Sequence, residues 1–424
     1  MNAADINPVP PGERTQSPFD LFLIFAGANI VATTLQVGAS LAPRFDAGSA
    51  LGLIALGTVL GTALVAALIP LGPRLGVPSI VAVRAPLGLH GAGLVAVLLY
   101  LTNFAWIAVN DVIAASACAR IAGGPVSERW WAVGLALLST VFVAGGPRWV
   151  GRADRIAVPA LLVVGGVMTI ACLRLPAAAL ASTASEGRGW LTGLDIVIAY
   201  QVSWILMFAD YSRYTRSARK ATVAAFLGLV VTSLWFMPLG WTAARVARSQ
   251  DPGAMLAALG LGVSGAALMA LATLTTNFVN IYLSSLAWKS LRPASGDQAS
   301  IWFIGLVGAG LSLLSTAWLD RFAGFMLVLG SLLVPIGGVV LAHYFLMRLP
   351  VRVEALYDRH GPYARSRGFS PPALAAWAIG TAVYWLASGI GGTLPALATT
   401  IGVYWLGWRI ESAWRSRSNR TAGT

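Results

Sequence analysis

The sequence LTGLDIVIAYQVSWILMFADYSRYTRSARK, from Leu191 to Lys220, is the most informative part of the chain because its polarity changes inside what is otherwise a membrane-spanning run. The run is apolar at its start and again toward Phe208, and its polar middle comprises Tyr200, Gln201, Ser203 and Trp204. Polar groups are costly in lipid, so such a stretch is buried in protein. Broken or polar half-helices near the bilayer midplane hold the substrate in secondary transporters. A buried helix whose Gln and Ser bond to neighbouring helices is the alternative interpretation.

The composition is that of a polytopic helical membrane protein. Of its 424 residues, 57% are hydrophobic and 11% are charged, and the mean hydropathy is +0.74. An ordinary soluble domain has about 25% charged residues. The two cysteines, Cys118 and Cys172, lie in apolar runs, so we expect no framework of structural disulfides.

Twelve apolar runs approach the length of about 20 residues that a membrane-spanning helix needs. Numbered in chain order as spans one to twelve, they lie at about 19–43, 50–73, 88–121, 130–147, 155–174, 191–209, 221–246, 257–287, 301–319, 322–347, 372–390 and 393–411. These runs predict an all-α fold with about twelve transmembrane helices. They form a single transmembrane transporter domain, 1–412, followed by a cytoplasmic tail, 413–424.

The placement of the basic residues predicts the orientation. With the N-terminus in the cytoplasm, most of the 29 Lys and Arg residues fall in cytoplasmic segments, as the positive-inside rule requires. We therefore expect a multi-pass protein of the cell inner (plasma) membrane with both termini in the cytoplasm. The same placement accounts for the net charge of +13, so we expect membrane lipid and no nucleic acid as its surroundings.

Three further spans have polar residues in their middles, and the first of these is span one. It includes Gly27, Asn29, Thr33, Thr34, Gln36 and Gly38. Glycines at this density weaken a helix, and a weakened helix can release backbone carbonyls that point at an ion.

Span three includes Asn103, Trp106, Asn110 and Asp111. The first three fall on one helical face, at i, i+3 and i+7. A Trp between two amides offers a flat stacking surface with donors and acceptors beside it, which suits a small planar heterocycle. A packing role for the Trp is the alternative. We expect the carboxylate of Asp111 to pair with a polar neighbour, and a role as a proton relay is the alternative.

Span eight includes Thr273, Thr275, Thr276, Asn277 and Asn280. Hydroxyl and amide oxygens clustered inside a membrane suit a cation such as Na⁺ that prefers oxygen ligands. A single Thr in a helix often only bonds to the carbonyl one turn back. Two adjacent Thr followed by an Asn argue against that alternative here.

No catalytic constellation appears in the sequence. His90, His343 and His360 are scattered, and there is no P-loop and no nucleophile elbow. We therefore expect no enzyme activity and no cofactor, with transport driven by an ion gradient. A channel is a further alternative, but it needs a continuous polar pathway, whereas the polar residues here concentrate near mid-span. A membrane-embedded enzyme would lack its catalytic groups.

Over nearly its whole length the chain resembles the nucleobase:cation symporter-1 family, whose bacterial members include cytosine permeases and hydantoin transporters. The resemblance rests on ADYSRYTRSAR (Ala209 to Arg219), LTTN (Leu274 to Asn277), the region around Trp106, GPRLGV (72–77) and VRAPLGLHG (83–91). It implies a five-plus-five inverted repeat with two broken helices plus two C-terminal helices. Repeat one would lie at about 19–174, repeat two at about 191–347 and the extra helices at about 372–411.

The resemblance also implies two sites and an activity. A Na⁺ site between spans one and eight would use backbone carbonyls and hydroxyls of Gly27, Ile30, Ala272, Thr275 and Thr276. The substrate ring would stack on Trp106, and we assign the rest of the substrate site to Asn103, Asn110, Gln201, Ser203, Trp204, Asn277 and Asn280. The implied activity is import of a nucleobase or related small planar heterocycle by cation symport with alternating access.

Two departures from the family pattern concern the substrate. Many members have an aromatic ring on span six where Gln201 aligns, so either Trp204 replaces that ring or the substrate is stacked on one side only. Cytosine permeases have an Asn where Ala272 aligns. Transport of hydroxymethylpyrimidine, hydantoin or allantoin is therefore an alternative, as is coupling to H⁺ rather than Na⁺, and the oligomeric state is left open.

The exit of span six carries two further charged residues of interest. We expect Asp210 and Arg213 to have structural and gating roles, with Asp210 pairing with a cytoplasmic Arg in one transport state and not in the other. A solvated surface charge is the alternative.

Overall fold

The computed structural model describes residues 6–123, 126–176, 189–292, 296–314 and 321–421, and the regular structure within these ranges is helical. The first half contains α1 (Pro18–Asn29), α2 (Ala32–Leu41), α3 (Ala47–Leu68), α4 (Leu89–Ala122), α5 (Glu128–Ala144) and α6 (Pro147–Leu173). The second half contains α7 (Trp190–Val202), α8 (Ala218–Ala247), α9 (Pro252–Ala258), α10 (Gly262–Leu291), α11 (Asp297–Ser312) and α12 (Phe322–Leu341). A final pair comprises α13 (Pro371–Leu386) and α14 (Thr393–Thr421).

Several short helical segments connect these elements. Three lie between α3 and α4, at Leu71–Leu75, Ser79–Ala82 and Arg84–Leu87. Two 3-10 segments follow α7, at Ser203–Met207 and Ser212–Tyr214, and a π-helical segment follows α12, at Ala342–Leu346.

Each of the twelve predicted spans corresponds to a helix, or to a bent pair of helices, at nearly the predicted position. Within the described residues, six helices are long and apolar enough to cross a membrane, and the bent pair of α1 and α2 makes a seventh. The prediction of an all-α polytopic membrane protein is confirmed. The segment predicted as a cytoplasmic tail, 413–424, is helical up to Thr421 because α14 continues past the apolar run.

Span one is broken at its centre. α1 begins at a capping box formed by Ser17 and Asp20, and its last backbone bond runs from Ile30 N to Ala26 O. α2 then begins at Ala32 and is bent by 57° from α1. The last carbonyl groups of a helix have no partner within it, so the break places helix-end carbonyls without an intrahelical partner in mid-span.

Span six changes its winding at a similar position. α7 ends at Val202, and the chain continues as a 3-10 helix over Ser203–Met207. A stretch of 3-10 helix inside a longer helix often marks a functional hinge. Spans one and six, which the pseudo-two-fold of an inverted repeat would exchange, are therefore both interrupted near mid-span.

The two halves of the chain pack as an inverted repeat. α1 and α2 pack on α8, and their counterpart α7 packs on α3. α4 packs along α10, and α5 packs on α11. A pseudo-two-fold relating spans 1–5 to spans 6–10 would convert the first of these contacts into the second, and it would exchange α4 with α10 and α5 with α11. α13 and α14 form a hairpin that packs on α12.

α2 and α8 cross so closely that both need a glycine at the crossing. A Cβ on Gly38 would meet the backbone carbonyl of Met237, and a Cβ on Gly240 would meet the backbone carbonyl of Leu35. Small residues at a crossing let membrane helices approach at the level of their backbones. The crossing holds the second half of span one on α8.

Candidate functional site

The break of span one is held between α8 and span six. Asn29 Nδ2 lies 2.8 Å from both Thr232 Oγ1 and Ser233 Oγ. Thr34 Oγ1 lies 2.5 Å from the carbonyl oxygen of Asn29 and 2.6 Å from Tyr200 Oη. The polar middles of spans one and six therefore meet in one place.

Trp106 lies in a cluster of three aromatic rings, the Trp106 cluster. Its ring centroid is 5.2 Å from that of Phe325 on α12 and 6.1 Å from that of Tyr200 on α7. Both contacts are edge-to-face, with interplanar angles of 71° and 77°. Trp106 and Phe325 are half-buried. Because Tyr200 lies just before the end of α7, the cluster forms an apolar wall at the level of the break in span six.

A buried polar network joins α4, α10 and α11. Asn110 Nδ2 donates to Asn277 Oδ1 at 3.2 Å, and Asn277 Nδ2 donates to Asp111 Oδ1 at 2.8 Å. Ser312 Oγ donates to the other carboxylate oxygen of Asp111 at 3.2 Å. Thr273 Oγ1 donates to the carbonyl of Asn110 at 2.9 Å. In this conformation, Asn110 and Asn277 therefore bind each other, and Asn277 also binds the carboxyl group of Asp111.

Two amides beside this network have no hydrogen bond. Asn103 and Asn280 are 1% and 5% exposed, and the Nδ2 atom of each has no partner among the described residues. α4 and α10 run antiparallel and meet where Asn110 contacts Asn277, so three residues further along α10 Asn280 lies at about the level of Trp106. A buried donor without a partner costs about 1–3 kcal/mol, so these two amides are available to a ligand.

The predicted ion-binding hydroxyls converge on one carbonyl. Thr275 Oγ1 and Thr276 Oγ1 lie 3.0 Å and 2.7 Å from the carbonyl oxygen of Ala272. α10 also contacts α1, which carries Gly27 and ends at Ile30. A hydroxyl that donates to a carbonyl keeps its own lone pairs, so both can still bind a cation. The same bonds are also those that a Thr makes one turn back in an ordinary helix.

The remaining predicted substrate residues, all on span six, contact protein neighbours. Gln201 Nε2 donates to Ser233 Oγ at 2.6 Å, and Ser203 Oγ donates to a carbonyl of the preceding turn at 2.6 Å. Trp204 packs on Phe25 of α1, with ring centroids 5.8 Å apart. None of the three contributes a ring to the Trp106 cluster.

Sequence reasoning misses two members of the Trp106 cluster. Tyr200 belongs to the polar middle of span six. It directly precedes Gln201, which aligns with the aromatic ring of many family members, and this is the feature that could have identified it. Phe325 gave no signal, because a Phe in the apolar start of a span resembles any lipid-facing ring.

The exit of span six is joined to the loop between α3 and α4. Asp210 is buried and accepts a hydrogen bond from Ser79 Oγ at 2.5 Å, and Ser79 Oγ accepts one from Ala209 N at 2.8 Å. Arg213 Nη2 donates to Tyr214 Oη at 2.9 Å. Because Asp210 is buried, the alternative of a solvated surface charge is wrong. Its pairing with an Arg stays a prediction for another transport state.

Residues 8–407 match the model of a family described as permeases for cytosine and purines, uracil, thiamine and allantoin. A Bacillus subtilis (strain 168) protein described as a purine-cytosine permease is 26% identical over 377 residues, which cover 84% of this chain and 82% of that relative. The hydantoin permease of Microbacterium maritypicum is 25% identical over 408 residues, which cover 88% of this chain and 82% of the permease.

A solved structure has the same architecture. It is a nucleobase-cation-symport-1 family transporter in a closed conformation with bromovinylhydantoin bound. It matches with a TM-score of 0.82 and 20% identity, over 96% of this chain and 95% of that chain. At this identity the likeness shows the fold alone, with its ten-helix inverted repeat.

Proposed function

Because the chain belongs to the family of permeases for cytosine and purines, uracil, thiamine and allantoin, we propose that it imports a nucleobase or related small planar heterocycle by cation symport. Its relatives are permeases rather than enzymes. Two broken helices at mid-span fit alternating access around one central site. We further propose that it works in the cell inner membrane with both termini in the cytoplasm, as the basic residues predict.

The proposal is based mainly on the Trp106 cluster and on the side-chain amides of Asn103 and Asn280 near it, whose Nδ2 atoms have no hydrogen-bond partner among the described residues. Stacking of a base on an aromatic side chain contributes about 1–3 kcal/mol. The amides of Asn103 and Asn280 have no protein partner, so they can recognise polar groups at the edge of a ring. A flat heterocycle with a polar edge uses both features at once.

The other predicted substrate contacts belong to a different transport state in this proposal. Asn110, Gln201, Ser203, Trp204 and Asn277 each bond to or pack on a protein neighbour in this conformation. Gln201, Ser203 and Trp204 lie at the hinge of span six, so a change in its winding would turn these three toward the central site.

We propose Na⁺ as the coupling ion, with Gly27, Ile30, Ala272, Thr275 and Thr276 as its ligands. The convergence of two hydroxyls on one carbonyl supports this assignment, because neutral oxygens at one point suit a hard monovalent cation. An ion there would join the break of span one to α10.

H⁺ is the second candidate for the coupling ion. One oxygen of Asp111 accepts a hydrogen bond from Asn277 Nδ2, and the other lies 3.2 Å from Ser312 Oγ. Ser312 Oγ has a single proton and also lies 2.9 Å from the carbonyl oxygen of Gly308, so its contact fits either protonation state of Asp111. The partners on α10 and α11 favour a structural role for Asp111 over a proton relay.

A thermal-shift screen of the purified protein tests the proposal. The ligands are cytosine, uracil, hydantoin, allantoin and hydroxymethylpyrimidine, each in sodium chloride and in choline chloride. A ligand that binds only the native state raises Tm. We expect at least one heterocycle to raise Tm, more strongly in sodium, and Trp106→Ala to lose that rise. No shift with any of these compounds in either salt would contradict the proposed substrate class.

A further inference from the structure

One cavity, the α12–α14 cavity, lies well away from the Trp106 cluster. Its volume is about 630 Å³, and its walls come from the loop between α3 and α4, the segment between α12 and α13, and α14. Small-molecule sites are typically 300–1,000 Å³. His343 lines it, 18 residues along the chain from Phe325, which corresponds to roughly 27 Å of helix. The cavity is therefore separate from the central site, at the end of the bundle predicted to face the cytoplasm.

His343 presents an unpartnered polar atom in the wall of this cavity. Its side chain is 5% exposed, and its Nδ1 lies 2.8 Å from Tyr404 Oη. Its Nε2 is buried without a hydrogen-bond partner among the described residues. Buried polar atoms nearly always have a partner, so this nitrogen can bond to a water molecule or a ligand.

The backbone around His343 has an unusual conformation. Ala342–Leu346 is π-helical, and Arg348 has a φ of 51°, in the left-handed region. A left-handed residue is common directly after the C-terminus of a helix. A single π-helical turn is rare and is frequently found at functional sites, so the winding around His343 agrees with a site at this end of α12.

The lining of the cavity indicates the chemistry of its ligand. Aromatic rings form much of the wall, from Tyr363, Phe369, Tyr404 and Trp408. One basic and one acidic side chain, Arg352 and Glu411, line it as well, so the wall has no net charge. Burial raises the pKa of Tyr363, which keeps its hydroxyl protonated as a donor. Flat apolar surfaces with both donors and acceptors between them suit an uncharged ring with a polar edge.

The wall of the cavity is linked to the Trp106 cluster and to the exit of span six. α12 carries Phe325 of the Trp106 cluster near one end and His343 beyond the other. Tyr344 Oη donates to the carbonyl of Ala82 at 2.7 Å, which ties α12 to the loop between α3 and α4. The same loop carries Ser79, which bonds to Asp210 at the exit of span six.

We propose that the α12–α14 cavity binds a small uncharged planar heterocycle from the cytoplasm and that its occupancy slows further import. This inference rests on the proposed function, because import would supply the transported heterocycle to the cytoplasmic side of the membrane, where the cavity opens. A ligand there would hold α12, the loop and α14 together in one arrangement. Transport requires the elements around the central site to rearrange, so such a ligand lowers the rate.

Equilibrium dialysis of the purified protein with radiolabelled cytosine and radiolabelled hydantoin as probes tests the binding. We expect two equivalents of at least one probe on the wild type, one on Trp106→Ala, one on Trp408→Ala and none on the double variant. Trp405→Ala is the matched control, since Trp405 lies on the same helix, is 42% exposed and does not line the cavity. It should keep both equivalents.

The two possible failures are distinguishable in that experiment. Loss of all binding in Trp106→Ala, with no equivalent sensitive to Trp408→Ala, overturns the second site and leaves the proposed function intact. An equivalent sensitive only to Trp408→Ala overturns the central site instead. Absence of binding by the wild type contradicts both.

Uptake into preloaded proteoliposomes tests the regulation. Internal heterocycle should lower the initial rate by about fivefold or more, the lower end of common allosteric effects, for the wild type and for Trp405→Ala. Trp408→Ala should not respond, and Tyr404→Phe, which only removes the hydroxyl beside His343, should respond less than the wild type. Equal inhibition of wild type and Trp408→Ala would show that the effect arises at the central site and would overturn the inference.

Discussion

Trp106 is the residue on which substrate recognition depends in our proposal, because its ring makes edge-to-face contacts with rings on α7 and α12. Trp106→Ala removes the stacking surface and should weaken heterocycle binding by about 1–3 kcal/mol. Titration of the thermal shift measures this. Trp235→Phe is the control, since the indole of Trp235 bonds to Thr169 on α6. This variant should bind the heterocycle with unchanged affinity. Unchanged affinity in Trp106→Ala would place the substrate elsewhere.

Asp111 is a residue whose contacts indicate a structural role. Asp111→Asn replaces an acceptor that binds two donors, from Asn277 and Ser312, so the free energy of unfolding should fall by about 1–3 kcal/mol. Uptake per folded molecule should remain sodium-driven. Thermal denaturation and uptake of the same preparation measure both. Uptake driven by a pH gradient in sodium-free buffer, and abolished by Asp111→Asn, would instead establish a proton relay.

At the scale of elements, the crossing of α2 and α8 determines how the second half of span one is held. Gly240→Ala would force a methyl group against the backbone of Leu35, and overpacking of this kind costs about 1–3 kcal/mol. Gly52→Ala on α3 is the matched control, because nothing lies within 4 Å of its added Cβ. We expect a lower Tm for Gly240→Ala alone. Equal Tm values for the two variants would show that α2 and α8 are further apart.

The elements could be predicted from the sequence more completely than the site. Apolar runs of span length give the helices, and the glycines and amides of span one predict its break near Gly27. The direction of Trp204 could not be predicted. Successive helical residues point about 100° apart, and the change to 3-10 winding after Val202 alters that rotation. Tyr200, not Trp204, therefore meets Trp106.

At the scale of the whole molecule, the Trp106 cluster and the proposed ion ligands lie on different elements. The wall comes from α4, α7 and α12, and the ion ligands come from α1 and α10. α4 packs along α10, so the two sites share a helix pair. Coupling between two ligands is reciprocal, so an ion that favours one arrangement of this pair also favours the substrate that binds it. We propose 19–174 and 191–347 as the approximate limits of the two repeats.

Heterocycle uptake into proteoliposomes under an imposed ion gradient tests sodium symport most directly. An inward sodium gradient should drive accumulation above the external concentration, and choline should not. Thr275→Ala combined with Thr276→Ala should lose the sodium drive, because it removes both hydroxyls that converge on Ala272. Ser264→Ala, which removes a hydroxyl near the start of the same helix, is the control and should keep it. Equal uptake in sodium and choline would contradict sodium symport.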